Sequence, residues 1–309
     1  MKSSRVHYTG ILFLLPSLTG VLIFVLLPFA DVIRRSFTGM PDHQWAGLDN
    51  YINVFRNEAF QLAAGNTLRF LAVCMPLLIL SSLAISVYLS GQTKIGQFLK
   101  NAYLVPMAIP VASVVILWKV LFHKQGLLSG LLSMIGLVPV DWMNSKYAFW
   151  VLVFSYVWKN IGYNIVLWMA GLSSIPTSIY EAARVDGAGE WKLFTRITLP
   201  NLFKVFYTII ILSLLNSFKV FREAYLVAGN YPDQSMYLVQ HLFQNWYREL
   251  SLDKLSAAAV VIAVGITMLV LPMQNAFYDE RPERMAKRRT AKRKKTAGKS
   301  RTELKKVRL

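Results

Sequence analysis

Six stretches of this chain are long, apolar and almost free of charge: Gly10 to Ala30, Asn66 to Ser90, Asn101 to Phe122, Ala148 to Leu172, Val205 to Leu226 and Leu255 to Phe277. Each meets the roughly 20 apolar residues that a helix needs to cross a hydrocarbon core about 30 Å thick. Lipid offers backbone N–H and C=O groups no partners, so these stretches are expected as helices rather than strands. The fold class is then an all-α integral membrane protein with about six transmembrane helices. Composition agrees, since 55% of the 309 residues are hydrophobic and only 16% are charged, against about 25% charged in a soluble domain. The first stretch follows Lys2 and Arg5 as a secretory signal would, but its apolar core is too long and no clear A-x-A site follows it. It is read as a retained helix, with Pro16 and Pro28 tolerated where neighbouring helices or water satisfy the freed backbone. The single cysteine, Cys74, excludes an internal disulfide and is expected as a small core residue.

Basic residues in alternate loops set the orientation of such a protein. The N-terminal tail, Gly91 to Lys100, Ser173 to Lys204 and the C-terminal tail together hold 22 Lys and Arg. Asp31 to Gly65, His123 to Tyr147, and Val227 to Lys254 with the adjoining Arg222 hold 8. Both termini are therefore expected in the cytoplasm. The segment Phe277 to Leu309 supplies 14 of those basic residues, and without it the two sides stand level. The organisation expected is a short tail over 1–9, a transmembrane domain over 10–277 with a cytoplasmic loop at 173–204, and a basic tail over 278–309.

No loop is long enough to be a catalytic domain, and no catalytic set can be assembled. Gly298-Lys299-Ser300 mimics the end of a phosphate-binding loop, but Arg293 stands where the first glycine belongs and no strand precedes it. The four histidines, His7, His43, His123 and His241, have no metal-ligand spacing on one helix, and no metal site is expected. Chemistry, if any, must come from a partner.

The segment Ser178 to Pro200, S-I-Y-E-A-A-R-V-D-G-A-G-E-W-K-L-F-T-R-I-T-L-P, is too apolar and too patterned for a linker. Thr177 or Ser178 can cap a short helix running through Arg184, and Gly187 and Gly189 permit a turn. A second short helix can run from Glu190 to about Thr198, with Trp191, Phe194 and Ile197 on one face. Pro200 then opens the fifth membrane helix, where a missing N–H costs little. Taken alone, the segment reads equally as a hairpin packed on the membrane surface with Trp191 as an interfacial anchor.

E-A-A, then D-G-A, then I-x-L-P resembles the cytoplasmic loop of permeases in binding-protein-dependent ABC importers. F-L-L-P at Phe13 to Pro16, G-L-D-N-Y at Gly47 to Tyr51, L-V-P-M-A-I-P at Leu104 to Pro110 and A-G-L-S-S-I-P at Ala170 to Pro176 resemble the carbohydrate-uptake members, and the likeness spans all but the C-terminal tail. The resemblance implies a type I ABC importer permease fold. It also implies a loop that forms a coupling helix docking in a cleft of an ATPase subunit. On that resemblance Glu181 meets a basic ATPase residue, Ala182 and Ala183 pack in the cleft, and Gly187 makes the bend. Asp186, Ile197, Leu199 and Pro200 match the rest of the motif. The partners implied are a second permease subunit, two ATPase subunits and an extracytoplasmic sugar-binding protein. No cofactor is expected on this chain, ATP and Mg belonging to the ATPase.

Polar groups at membrane depth are expensive and mark candidate pathways. Trp158, Lys159, Asn160, Tyr163 and Asn164 cluster near the middle of the fourth stretch, with Asn160 and Asn164 on one face. At about 1.5 Å per residue, Asn216 lies roughly 16 Å into the fifth helix. Amides suit sugar hydroxyls and aromatics suit sugar rings, so Trp158, Asn160, Tyr163, Asn164 and Asn216 are candidates to line a sugar path. Each amide can equally serve as a hydrogen-bonded link between helices. Lys159 is expected to pair with a carboxylate or carbonyl of another helix. The tail cluster Lys287, Arg288, Arg289, Lys292, Arg293, Lys294 and Lys295 is expected to fix topology or meet anionic lipid. With no interleaved aromatics, it is not expected to bind nucleic acid. Two other readings remain: an ABC permease for glycerol phosphate, an amino acid or a polyamine, and a membrane receptor or channel with a basic tail.

Overall fold

The computed structural model describes residues 4–39, 42, 44–91 and 102–277. The basic tail and the expected loop at 91–100, apart from Gly91, lie outside those residues. Residues 1–268 form one compact unit, which contains everything built on below. The second unit, 269–309, enters the described residues only through the end of the last helix.

Along the chain run α1 (Ser4–Val21), a π-helical turn (Leu22–Leu26), α2 (Leu27–Ser36), α3 (Asp49–Arg56), α4 (Glu58–Ser90) and α5 (102–108). Then follow α6 (Val111–Phe122), α7 (Leu127–Met134), α8 (Ala148–Ser173), α9 (Thr177–Val185), α10 (Glu190–Leu193), a π turn (Phe194–Thr198) and α11 (Leu199–Asn201). The chain continues with α12 (Phe203–Ser217), a 3₁₀ turn (Phe218–Val220), α13 (Phe221–Ala228), α14 (Val239–Arg248) and α15 (Leu252–Phe277). Among the described residues strand pairing is limited to one bridge, between Thr38 and Trp45.

All six apolar stretches are helical, with three departures from the expected limits. The third is split, because Pro110 takes an extended conformation (ψ 142°) and starts α6 afresh; proline has no N–H to give and restricts the residue before it. The connection that follows, expected as an external loop, contains α7. The first stretch continues past Ala30 to Ser36, and its π turn comes just before Pro28, where a backbone donor is missing. Five helical runs are long and apolar enough to cross a membrane by composition: Leu12–Ser36, Glu58–Ser90, Val111–Met134, Phe203–Ala228 and Leu252–Gln274. The remaining expected span, α8, is 26 residues long. Trp158, Lys159, Asn160 and Asn164 dilute its apolar character, and it can afford them because it is enclosed by other helices.

The pairing of α4 with α8 is the most extensive in the molecule, and α12 packs against both. Phe70, Cys74 and Leu78 of α4 meet Phe149, Leu152 and Tyr156 of α8 in one buried cluster, joined by Val220 and Ala224. Lipid is as apolar as leucine, so helices in a bilayer are held by close packing and by polar links. Ser82 and Ser86 of α4 provide two such links: Trp168 Nε1 donates to Ser82 Oγ at 3.1 Å, and Ser86 Oγ donates to the Ile165 carbonyl at 3.2 Å. At Gly162 a Cβ would overlap the Tyr103 carbonyl, so glycine is what lets α5 lie against α8. In the G-L-D-N-Y segment, buried Asn50 donates to the Ser36 and Thr38 carbonyls at 3.1 and 2.9 Å, and the Tyr51 and Ser36 hydroxyls lie 2.7 Å apart. That motif therefore ties the end of α2 to α3.

Candidate functional site

Two regions gather the residues singled out above. The first is a helix, turn and helix formed by α9, α10 and the π turn after it. α9 begins after Pro176, and no side chain caps it. Thr177 and Ser178 lie inside its first turn, so neither is the cap expected of them; Pro176, with φ −59° and ψ 133°, supplies the entering bend instead. At the other end Gly187 N–H donates to the Arg184 carbonyl at 3.0 Å and Ala188 N–H to the Ala183 carbonyl at 2.9 Å. This pair of bonds is the Schellman closure, which needs a left-handed residue at its turn. Gly187, at φ +76°, is that residue.

The loop is anchored from beneath. Leu193 and Thr198 are buried, and the Tyr180 hydroxyl lies 2.9 Å from Thr198 Oγ1, tying the two arms together. The Arg184–Glu190 ion pair at 3.0 Å also bridges them, but both side chains are exposed, and such pairs contribute only about 0.2–1 kcal/mol. Glu181, Ala182, Asp186 and Gly187 are exposed on the outside of the turn, with Ala183 half-buried. Trp191 is 78% exposed and its ring centroid lies 6.1 Å from that of Phe194. Phe194 and Ile197 are half-buried, while Leu199 and Pro200 are exposed. The π turn carries one residue more per turn than an α-helix, which rotates the inward face onto Leu193 and Thr198. Periodicity counted at 3.6 residues did not single out these two positions.

The second region is a cavity of about 130 Å³ between α5, α8 and the α12–α13 junction, lined by Met107, Asn160, Lys159, Asn216, Lys219 and Glu223, with Ser155, Tyr156 and Val220 completing the wall. Three polar side chains hold its rim. Asn160 Nδ2 donates to the Tyr156 carbonyl at 2.8 Å, Lys219 Nζ donates to Asn216 Oδ1 at 2.8 Å, and Lys159 Nζ pairs with Glu223 Oε1. Asn164 stands apart from the cavity. It is 1% exposed, and its Nδ2 donates to Ser213 Oγ of α12 at 3.0 Å, as a link between helices. Trp158 is also elsewhere, edge-on to Trp118 at 5.3 Å in a cluster with Val114 and Met143. Tyr163 is half-buried on α8 and is not among the lining residues. Sequence reasoning missed Glu223, although a lone carboxylate in a helix this apolar was a signal.

An exposed helical turn closed at Gly187 and a helical bundle with a polar cavity are thus the two features that the candidate residues build. Residues 82–283 match the family model described as the binding-protein-dependent transport system inner membrane component, and the chain belongs to that family. Among curated relatives, the trehalose/maltose transport system permease protein of Thermococcus litoralis is 32% identical over 77% of this chain and 83% of its own length. The sn-glycerol-3-phosphate transport system permease protein of Salmonella typhimurium is 28% identical over 86% of this chain and 93% of its own. In fold, the chain is similar to a crystal structure of a bacterial ABC transporter involved in the import of the acidic polysaccharide alginate, with TM-score 0.73 and 22% identity over 90% of this chain and 98% of that one. The chain is thus a multi-pass membrane permease subunit of a binding-protein-dependent ABC importer.

Proposed function

We propose that this chain forms half of the translocation path of an ATP-driven importer of saccharides, and that the α9–α10 turn is its contact with an ATPase subunit. The observation that carries the reading is the closure at Gly187, which presents Glu181, Ala182 and Asp186 outward on a turn whose two arms are tied together by Tyr180 and Thr198. A turn built that way can transmit a push to α8 and α12, which flank it in sequence. Both termini and this loop lie in the cytoplasm on the count of basic residues. The partners are a second permease subunit, two ATPase subunits that hold ATP and Mg, and an extracytoplasmic sugar-binding protein, with the basic tail against anionic lipid. Asn160 and Asn216 are the two sequence candidates that line the cavity, and they are the residues proposed to meet the solute; Trp158, Tyr163 and Asn164 support the helices around it. The likeness to the trehalose/maltose permease supports a saccharide.

A cell lacking the chain should lose uptake of radiolabelled trehalose, maltose or arabino-oligosaccharides and regain it with a plasmid copy. The likeness to the glycerol-3-phosphate permease favours the second reading, a phosphorylated polyol. Loss of glycerol 3-phosphate uptake alone would replace the saccharide by that solute. Maleimide labelling of single cysteines at Gly47, Lys124 and Gly187 tests the topology, and an external Gly187 would end the coupling assignment.

A further inference from the structure

Glu223 is 5% exposed, lines the cavity, and spends only one of its two oxygens on Lys159; Oε2 receives no hydrogen bond. A buried carboxylate oxygen without a donor is costly, and native structures leave few such atoms unmet unless water, an ion or a ligand supplies the donor. The cavity in front of it has about 130 Å³, room for several waters or for one sugar ring. Around the same space stand an amide carboxamide pair, Asn160 and Asn216, and a second ammonium, Lys219. The wall therefore offers both acceptors and donors, in a helix where each charged group is expensive. A hydroxyl group both donates and accepts, so a polyhydroxylated solute fits this wall and brings Oε2 the donor it lacks, whereas an anion without hydroxyls brings it none.

We propose that Glu223 is a solute-binding residue, its Oε2 accepting a hydroxyl proton of the transported saccharide while Lys159 balances its charge. The proposal rests on the saccharide reading above, and adds to it a residue and an atom. It separates Glu223 from a mere structural ion pair, because a buried pair replaced on both sides by apolar groups is often neutral for folding.

The test uses the full transporter in nanodiscs, with Lys159→Met/Glu223→Leu as the variant that leaves no orphan charge. A reporter Met107→Cys, 46% exposed at the cavity wall, is labelled with maleimide; buried Cys74 does not compete. Panels of trehalose, maltose and arabino-oligosaccharide are offered with the loaded binding protein. With Glu223 present, the transported saccharide should slow labelling of the reporter. In the double variant the complex should still assemble, that protection should vanish, and uptake should fall about ten- to hundredfold, as for a lost hydrogen bond to a charged group. A double variant that transports and protects like its parent overturns the proposal and leaves the saccharide reading standing, the cavity then holding water around a structural pair. Absence of protection by every saccharide in the parent also overturns it, whereas the uptake measurement by itself decides the saccharide reading.

Discussion

Gly187→Val is the perturbation whose size follows most directly from the coordinates. Gly187 sits at φ +76°, and nothing lies within 4 Å of where its Cβ would be. Within this chain the substitution therefore costs backbone strain and no collision. For an L-residue the left-handed region costs about 1–2 kcal/mol, with β-branched residues at the upper end. About 2 kcal/mol lowers the population of the closed turn roughly thirtyfold. Asparagine visits that region readily, so Gly187→Asn should cost under about 1 kcal/mol, a factor of about five or less. Uptake, and ATP hydrolysis stimulated by the loaded binding protein, should thus fall in the order glycine, asparagine, valine, with the ATPase still co-purifying in the asparagine variant. Equal damage from asparagine and valine would refute the backbone argument and mean that any side chain at 187 collides with the docked subunit. Normal transport by both would show that this turn does not couple anything.

Glu181→Lys reverses the charge of an exposed carboxylate with no ion pair among the described residues; it should abolish uptake and cut ATPase retention on affinity purification about ten- to hundredfold, at roughly 1.5–3 kcal/mol for a charge-assisted contact. Asn164→Leu breaks the bond to Ser213 and should lower thermal stability in detergent by about 1 kcal/mol, whereas Asn216→Leu, at the cavity, should lower uptake with little change in melting. Equal melting losses would put both amides in the packing. His241, outside the membrane spans and fully buried, accepts the Leu238 N–H at Nδ1, and burial pushes its imidazole down to about 4. Unfolded histidine titrates near about 6.5. Protons therefore favour the unfolded chain below that value, so the contribution is complete above pH about 6.5 and lost progressively toward pH about 4, by up to about 3 kcal/mol. His241→Asn keeps an acceptor for Leu238 and should flatten the melting profile across that window; an unchanged profile would mean that another group causes it.

The lengths of the apolar stretches settled the class of fold, because lipid leaves a backbone no option but helices, and a run of some 20 residues can be counted without knowing its neighbours. The exposed loop was equally legible. Its turn is local, and Gly187 with the residues on either side of it specifies a left-handed closure whose bonds span only five positions. What neighbours decide could not be read this way. Asn160 and Asn164 share a face by spacing, yet one rims the cavity and donates to its own helix while the other donates to Ser213 across a helix interface, because tertiary packing sets what each amide meets. Trp158 turned toward Trp118 for the same reason. The π turn at Phe194–Thr198 shifted the buried face to Leu193 and Thr198, a change of period that periodicity cannot announce. Lys159 was expected to find a carboxylate or carbonyl, but its partner is 64 positions away. Only the fold could bring Glu223 to it, since a charge in lipid is tolerated where packing supplies its counterion, and packing is a property of the assembled helices.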